Sequence, residues 1–204
     1  MTDRPDLDRW NSRFAAKEFV FGEEPNEFLN RHMPQGPGRA LCVADGEGRN
    51  GVWLARHGWD VLSLDFSPVA QVKAADLAVR HGVSMQIVEA DVHVWPYPQG
   101  EFDLVADIFS QFSNPDQRAQ KWAGMMRALR PGGLLMVVGY TPDQLKHRTG
   151  GPSQVENLYT ESLLRDAFGA LQIKVLEVYE TELTEGAGHA GRSAVAGLIA
   201  RKPD

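Results

Sequence analysis

From residue 40 to residue 140, short apolar runs alternate with stretches in which apolar residues recur at helical spacing. The runs 40–44, 61–65, 85–89, 102–109 and 134–140 read as strands. Between them, 50–57, 68–81 and 115–129 read as helices, the second stopping at Gly82 and the third at Pro131 and Gly132. Such alternation predicts an α/β fold, a mostly parallel Rossmann-like sheet with helices on both faces. Strands at 173–179 and 194–201 complete seven. Residues 180–192 join them as a polar, glycine-containing connection without helical pattern, so the last strand is expected to return antiparallel.

In an open sheet of this kind ligands bind beyond the carboxyl ends of the strands. The segments there are Asp45-Gly46-Glu47-Gly48, Asp65-Phe66-Ser67, Ala90-Asp91-Val92 and Ser110-Gln111-Phe112, which are expected to meet in one crevice. Gly46 and Gly48 let backbone approach a ligand closely, and the helix that follows directs its free N–H groups toward it. Asp65, nineteen positions after Gly46, stands where a carboxylate accepts hydrogen bonds from ribose hydroxyls. An ordinary tight turn with an exposed Asp would use the same residues. Asp45 and Glu47, taken alone, read equally as solvated turn acids.

The chain has 204 residues, 43% of them hydrophobic, enough for one substantial core, and no repeat or low-complexity segment divides it. One domain, 1–204, is expected, with 1–38 as an N-terminal cap segment. A net charge of −6 and a pI near 5.5 argue against a nucleic-acid partner, which needs clustered Lys and Arg. The single cysteine, Cys42, falls in a strand, so neither a disulfide framework nor a metal site is expected. With no long apolar run and no apolar leader at the N-terminus, a cytoplasmic protein without membrane association is expected, as monomer or homodimer.

Five motifs occur in a familiar order: Gly46-Glu47-Gly48-Arg49-Asn50, Asp65, Ala90-Asp91, Phe102-Asp103-Leu104-Val105 and Leu129-Arg130-Pro131-Gly132-Gly133. In this the chain resembles the class I S-adenosylmethionine-dependent methyltransferases, most closely the tellurite-resistance and thiopurine-methyltransferase-like small-molecule branch. The resemblance implies S-adenosylmethionine as cofactor, with Gly46 and Gly48 at its methionine part, Asp65 at the ribose, Asp91 at the adenine amino group and Val92 at the ring. It extends the candidate donor site to Ala44, Asn50, Phe66 and Asp107. The family commonly has an acid where this chain has Cys42 and a glycine where it has Ala44. A thiol cannot replace a carboxylate's hydrogen bonds, so the cofactor's ammonium must be met otherwise.

The N-terminal run Trp10-Asn11-Ser12-Arg13-Phe14, followed by Phe19-Val20-Phe21-Gly22, also resembles this branch, where it caps the cofactor. Its aromatic residues can exclude water from a pocket or simply pack on the sheet. Arg13 can pair with the cofactor's carboxylate through its guanidinium fork. Acceptor-side candidates are Phe21, Gln111, Gln144, His189 and Arg192, near the glycine-rich segments Thr149-Gly150-Gly151-Pro152 and 184–192. Hairpin turn chemistry accounts for the second segment equally well. His189 can act as a base, bind an anion or merely be solvated. Gln111 cannot be a base.

The expected reaction is in-line methyl transfer to a small-molecule acceptor. An activated methyl group asks the protein mainly for orientation and dryness, so no base is obligatory. The competing readings are a cofactor-binding regulatory protein without turnover, and a nicotinamide oxidoreductase. The latter is disfavoured because Arg49-Asn50-Gly51 leaves the third glycine of the dinucleotide pattern without support.

Overall fold

The computed structural model describes residues 5–34 and 36–204; residues 1–4 and 35 of the expected cap lie outside the described residues. The chain opens with α1 (Pro5–Phe14) and α2 (Glu27–Arg31), continues with β1 (Arg39–Val43), α3 (Arg49–Arg56), β2 (Asp60–Asp65), α4 (Pro68–Arg80), β3 (Gln86–Glu89), β4 (Phe102–Ile108), α5 (Pro115–Ala128) and β5 (Leu129–Tyr140), and closes with α6 (Gln144–His147), α7 (Glu161–Phe168), β6 (Gln172–Glu185) and β7 (His189–Arg201). The sheet order is β3-β2-β1-β4-β5-β7-β6, with β7 antiparallel to both neighbours and the other pairs parallel. The Rossmann-like seven-stranded expectation holds.

Both faces of the sheet are covered. Leu41 and Val43 of β1 belong to one buried cluster while Ala40 and Cys42 belong to the other, as strand alternation requires. Helix ends follow local chemistry: Ser67 caps α4 by accepting from Ala70 N–H, and Asn114 forms a reciprocal capping box with Gln117 at α5. Gly48 caps α3 at φ 84°, where a Cβ would stand 2.6 Å from the Ala74 Cβ. Only glycine lets α3 pack this closely on α4.

Two expectations need correction. Residues 180–192 are not a loop: β6 and β7 pair continuously from Gln172 with Arg201 to Glu185 with His189, turning through residues 186–188. Glu180, Glu182 and Thr184 are polar because β6 is an edge strand whose outer face meets water. Helix α7 was not anticipated either. Thr160 caps it, and only Leu164 and Phe168 are buried, a stripe too short for periodicity to reveal.

Candidate functional site

The carboxyl ends of β1, β2 and β4 frame a cleft roofed by α1 and the segment after it. It has three compartments. About 60 Å³ lies against the β1 turn, lined by Ala44, Gly46, Asn50, Asp65, Phe14 and Phe21 among others. About 270 Å³ lies beside the β3 end, between Ala44, Phe66, Asp91, Val92, His93 and Phe112. About 580 Å³ opens toward β5 and β7, lined by Phe109, Gln111, Tyr140, Gly151, Gly188 and His189 among others. Trp10 and Phe112 border all three, with ring centroids 6.4 Å apart. Phe21, Phe109 and His189 form the seam between the first compartment and the largest.

The β1 turn is built by carboxylates. Asp65 accepts from Gly46 N–H at 2.9 Å through one oxygen and from Ser67 N–H at 2.8 Å through the other, which leaves lone pairs for a diol. Burial raises its pKa to about 6, against the pull of these N–H groups. Asp45 and Glu47 are not solvated turn acids, because both are buried. Asp45 turns beneath α3, where it accepts from the Ser63 hydroxyl at 2.8 Å, and burial pushes its pKa to about 7. Its other oxygen is buried without a hydrogen-bond partner. Glu47 accepts from Val20 and Phe21 N–H and pairs with Lys73 at 2.6 Å, clamping the roof. On the opposite side Glu185, at the hairpin tip, accepts from Asn26 and Glu27 and pairs with Arg49 at 2.6 Å, with only 9% and 6% of the two side chains exposed.

Ala44 and Phe109, at the ends of β1 and β4, are non-glycine residues at φ 52° and 55°, and both line the cleft. Strain at such positions is kept where the surrounding structure over-determines it, commonly at functional sites. Ala44 thus adopts the backbone conformation for which the resembling family uses glycine.

The candidate residues sort by side-chain direction. Gly46, Asn50, Asp65, Phe66, Asp91, Val92 and Ala44 line the two smaller compartments, and Phe21, Gln111 and His189 the largest. Gly48 shapes the turn without lining it. Asp107 is corrected: Ala106 and Ile108 face the cleft, so by strand parity Asp107 faces α5, where it bonds the fully buried Lys121 and Trp122 Nε1 at 3.1 Å each. Gln144 is structural as well, bonding Thr149, Gly150 and Ala194 N–H. Arg192 pairs with Glu180 on the outer face of the hairpin, away from the cleft. Arg13 borders the largest compartment rather than the β1 turn. Gln111 contributes a wall, its amide spent on Tyr140 and Asn157 backbone.

His189 begins β7 rather than lying in a loop. Its ring stacks between Phe21 and Phe109, at 4.5 and 4.3 Å, and its Nδ1 lies 2.6 Å from the Tyr140 hydroxyl. Burial, helped by Arg49 and Arg13, holds its pKa well below the usual histidine value, so it is neutral. Phe109, Tyr140 and the Glu47 and Glu185 clamps were not foreseen, while Trp10 was expected only within the capping run and Phe112 only within the segment after β4. Only the aromatic density of 10–21 pointed toward them.

The segment around this site also relates the chain to known proteins. Residues 40–133 match the family model described as a methyltransferase domain. The demethylmenaquinone methyltransferase of Thermus thermophilus is 31% identical over 112 residues, covering 54% of this chain and 50% of that protein. The chain spans about two fifths to one half of the first curated relatives it matches. Among solved structures, one described for the conversion of a disulfide bond into a thioacetal group during echinomycin biosynthesis superposes with TM-score 0.76 at 19% identity, over 96% of this chain and 88% of that one. The N-methyltransferase NodS from Bradyrhizobium japonicum, in complex with S-adenosyl-L-homocysteine, gives 0.72 at 16% identity over 98% and 100%. TehB from Haemophilus influenzae gives 0.68 at 18% over 86% and 60%.

Residues 40–133 thus match a methyltransferase domain, and the fold is one shared with a methyltransferase solved in complex with S-adenosyl-L-homocysteine.

Proposed function

We propose that the protein transfers a methyl group from S-adenosylmethionine to a small-molecule acceptor, as a cytoplasmic enzyme akin to the tellurite-resistance and thiopurine-methyltransferase-like branch. The observation that carries this reading is the adjacency of the compartments: the one at the β1 turn meets the larger chamber at the Phe21–Phe109–His189 seam, and Trp10 and Phe112 border both of these and the compartment beside β3. The residues fit that donor. Asp65 is placed for a ribose diol, Asp91 for an exocyclic amine, and Trp10, Phe66 and Phe112 for the faces of a purine. When bound, the sulfonium supplies an activated methyl whose carbon–sulfur bond electrons return to a neutral thioether.

The chain's own contribution is placement and exclusion of water. The roof, held by Glu47 and Glu185, closes the β1 turn with Trp10, Phe14 and Phe21. At the seam, Phe21 and Phe109 fix the His189 ring, and the neutral imidazole and Tyr140 hydroxyl orient a nucleophile. A histidine held neutral by burial and nearby cations is a weak base, consistent with a reaction that needs orientation rather than proton abstraction.

Calorimetry with S-adenosylmethionine, S-adenosylhomocysteine and NAD tests the donor, and binding of NAD alone would refute the assignment. Labelled donor incubated with small thiols, phenols, amines and chalcogen oxyanions tests turnover. Donor binding with no label transferred to any of them would favour a regulatory cofactor-binding role.

A further inference from the structure

Arg13 ends α1 with its guanidinium carbon 5.3 Å from the Trp10 ring centroid and 4.9 Å from that of Phe21. Two aromatic faces hold a side chain that is otherwise flexible. The hairpin tip makes room for this arrangement. A Cβ on Gly188 would stand 2.4 Å from Phe21 Cε1 and 3.0 Å from Arg13 Nη2. Among the described residues the guanidinium has neither a hydrogen-bond acceptor nor an ion-pair partner, although it borders the 580 Å³ chamber. The other charges there do not answer it. Arg9 pairs loosely with Asp6 at 3.7 Å, and Glu156 is exposed and in no ion pair.

We infer that the acceptor is a planar aromatic carboxylate, its carboxylate bound by Arg13 and its ring set against the aromatic walls of the chamber. This rests on the methyl-transfer reading and narrows its acceptor. A guanidinium fork matches a carboxylate in two parallel hydrogen bonds, and Arg13, although exposed to solvent, is held in place for them by the two rings. Size argues for an organic acid over an inorganic oxyanion. A chamber of about 580 Å³ lies in the range of sites for small organic ligands and far exceeds an ion of three oxygens. The carboxylate is the anchor, not the nucleophile; a second ring substituent faces the seam beside His189. That imidazole is neutral, so the positive charge available to an anion at this wall is the Arg13 guanidinium.

The test is calorimetry of the full chain, free and saturated with S-adenosylhomocysteine, using benzoate and 2-naphthoate, each beside its carboxamide. At least one acid should bind ten-fold or more tightly than its amide. Arg13→Gln should abolish that preference while S-adenosylhomocysteine affinity stays within two-fold, and Arg13→Lys should retain part of it. Acids bound no better than their amides would overturn the inference, as would tellurite or selenite competing equally. Loss of S-adenosylhomocysteine binding in Arg13→Gln would also overturn it, since Arg13 would then serve the donor's carboxylate. Failure of the wild-type chain to bind S-adenosylhomocysteine, with acids still preferred by the free protein, would refute the methyl-transfer reading instead.

Discussion

Asp45→Asn should stabilise the protein at pH 8 and leave it nearly unchanged at pH 4. The Asp45 carboxyl is buried beneath α3, with one oxygen on the Ser63 hydroxyl and the other without a hydrogen-bond partner. Its pKa rises from 3.8 to about 7, chiefly through desolvation, with Asp65 adding repulsion. A native pKa above the unfolded one means that the folded state holds its proton longer. The associated stability is present below about pH 4, is lost as pH rises toward 7, and stays lost above. At about 1.36 kcal/mol per pH unit, the roughly three-unit displacement amounts to about 4 kcal/mol. Asparagine keeps an acceptor for Ser63 and carries no charge; its amide N–H, placed where Asp45 lacks a partner, costs about 1–3 kcal/mol. The protonated Asp45 bears a comparable buried donor at pH 4, so there the two proteins should be nearly equal. At pH 8 the variant should gain roughly 1–4 kcal/mol. Urea unfolding followed by tryptophan fluorescence, with the variant subtracted from wild type at each pH, isolates this group from Asp65, which shifts the same way. A variant no more stable than wild type at pH 8 would show that Asp45 does not carry the buried charge described.

Asp65 should make donor affinity pH-dependent: its carboxylate forms as pH rises through about 6, so S-adenosylhomocysteine should bind more tightly at pH 7.5 than at pH 5, and Asp65→Ala should weaken binding at pH 7.5 by ten-fold or more. Ala44→Gly relieves a left-handed backbone costing about 1–2 kcal/mol, partly offset by glycine's extra freedom when unfolded, so thermal unfolding should show a gain of up to about 1 kcal/mol with donor binding retained. Glu185→Ala leaves Arg49 buried and unpaired and releases Asn26 and Glu27, so a loss of about 3–5 kcal/mol is expected, with faster proteolysis between 15 and 26; unchanged cleavage would refute the hairpin's role as clamp.

The strands at 40–44, 61–65 and 102–109 were legible to within one or two residues because buried parallel strands are apolar on both faces, and the edge strand at 85–89 was legible from its short apolar centre before Ala90-Asp91. The placement of Gly46, Asp65 and Asp91 was legible too, since backbone spacing alone sets those residues at adjoining strand ends. The hairpin through 180–192 was not: an edge strand facing water carries polar residues and resembles a loop until its partner is known. Asp107 was assigned to the donor by its place near the end of a strand, although alternation with Ala106 and Ile108 already set it on the opposite face.

By itself, then, the chain determines a parallel α/β sheet, the turn after β1 and the carboxylates at the strand ends, because these follow from local periodicity and from spacing within tens of residues. Only the tertiary structure decides that Glu47 and Glu185 lock the N-terminal roof, that Asp45 turns beneath α3, that Arg13 borders the largest compartment and that His189 is neutral. Each depends on what a side chain meets across the fold, and burial and charge are set by neighbours more than a hundred residues away, as between Arg49 and Glu185.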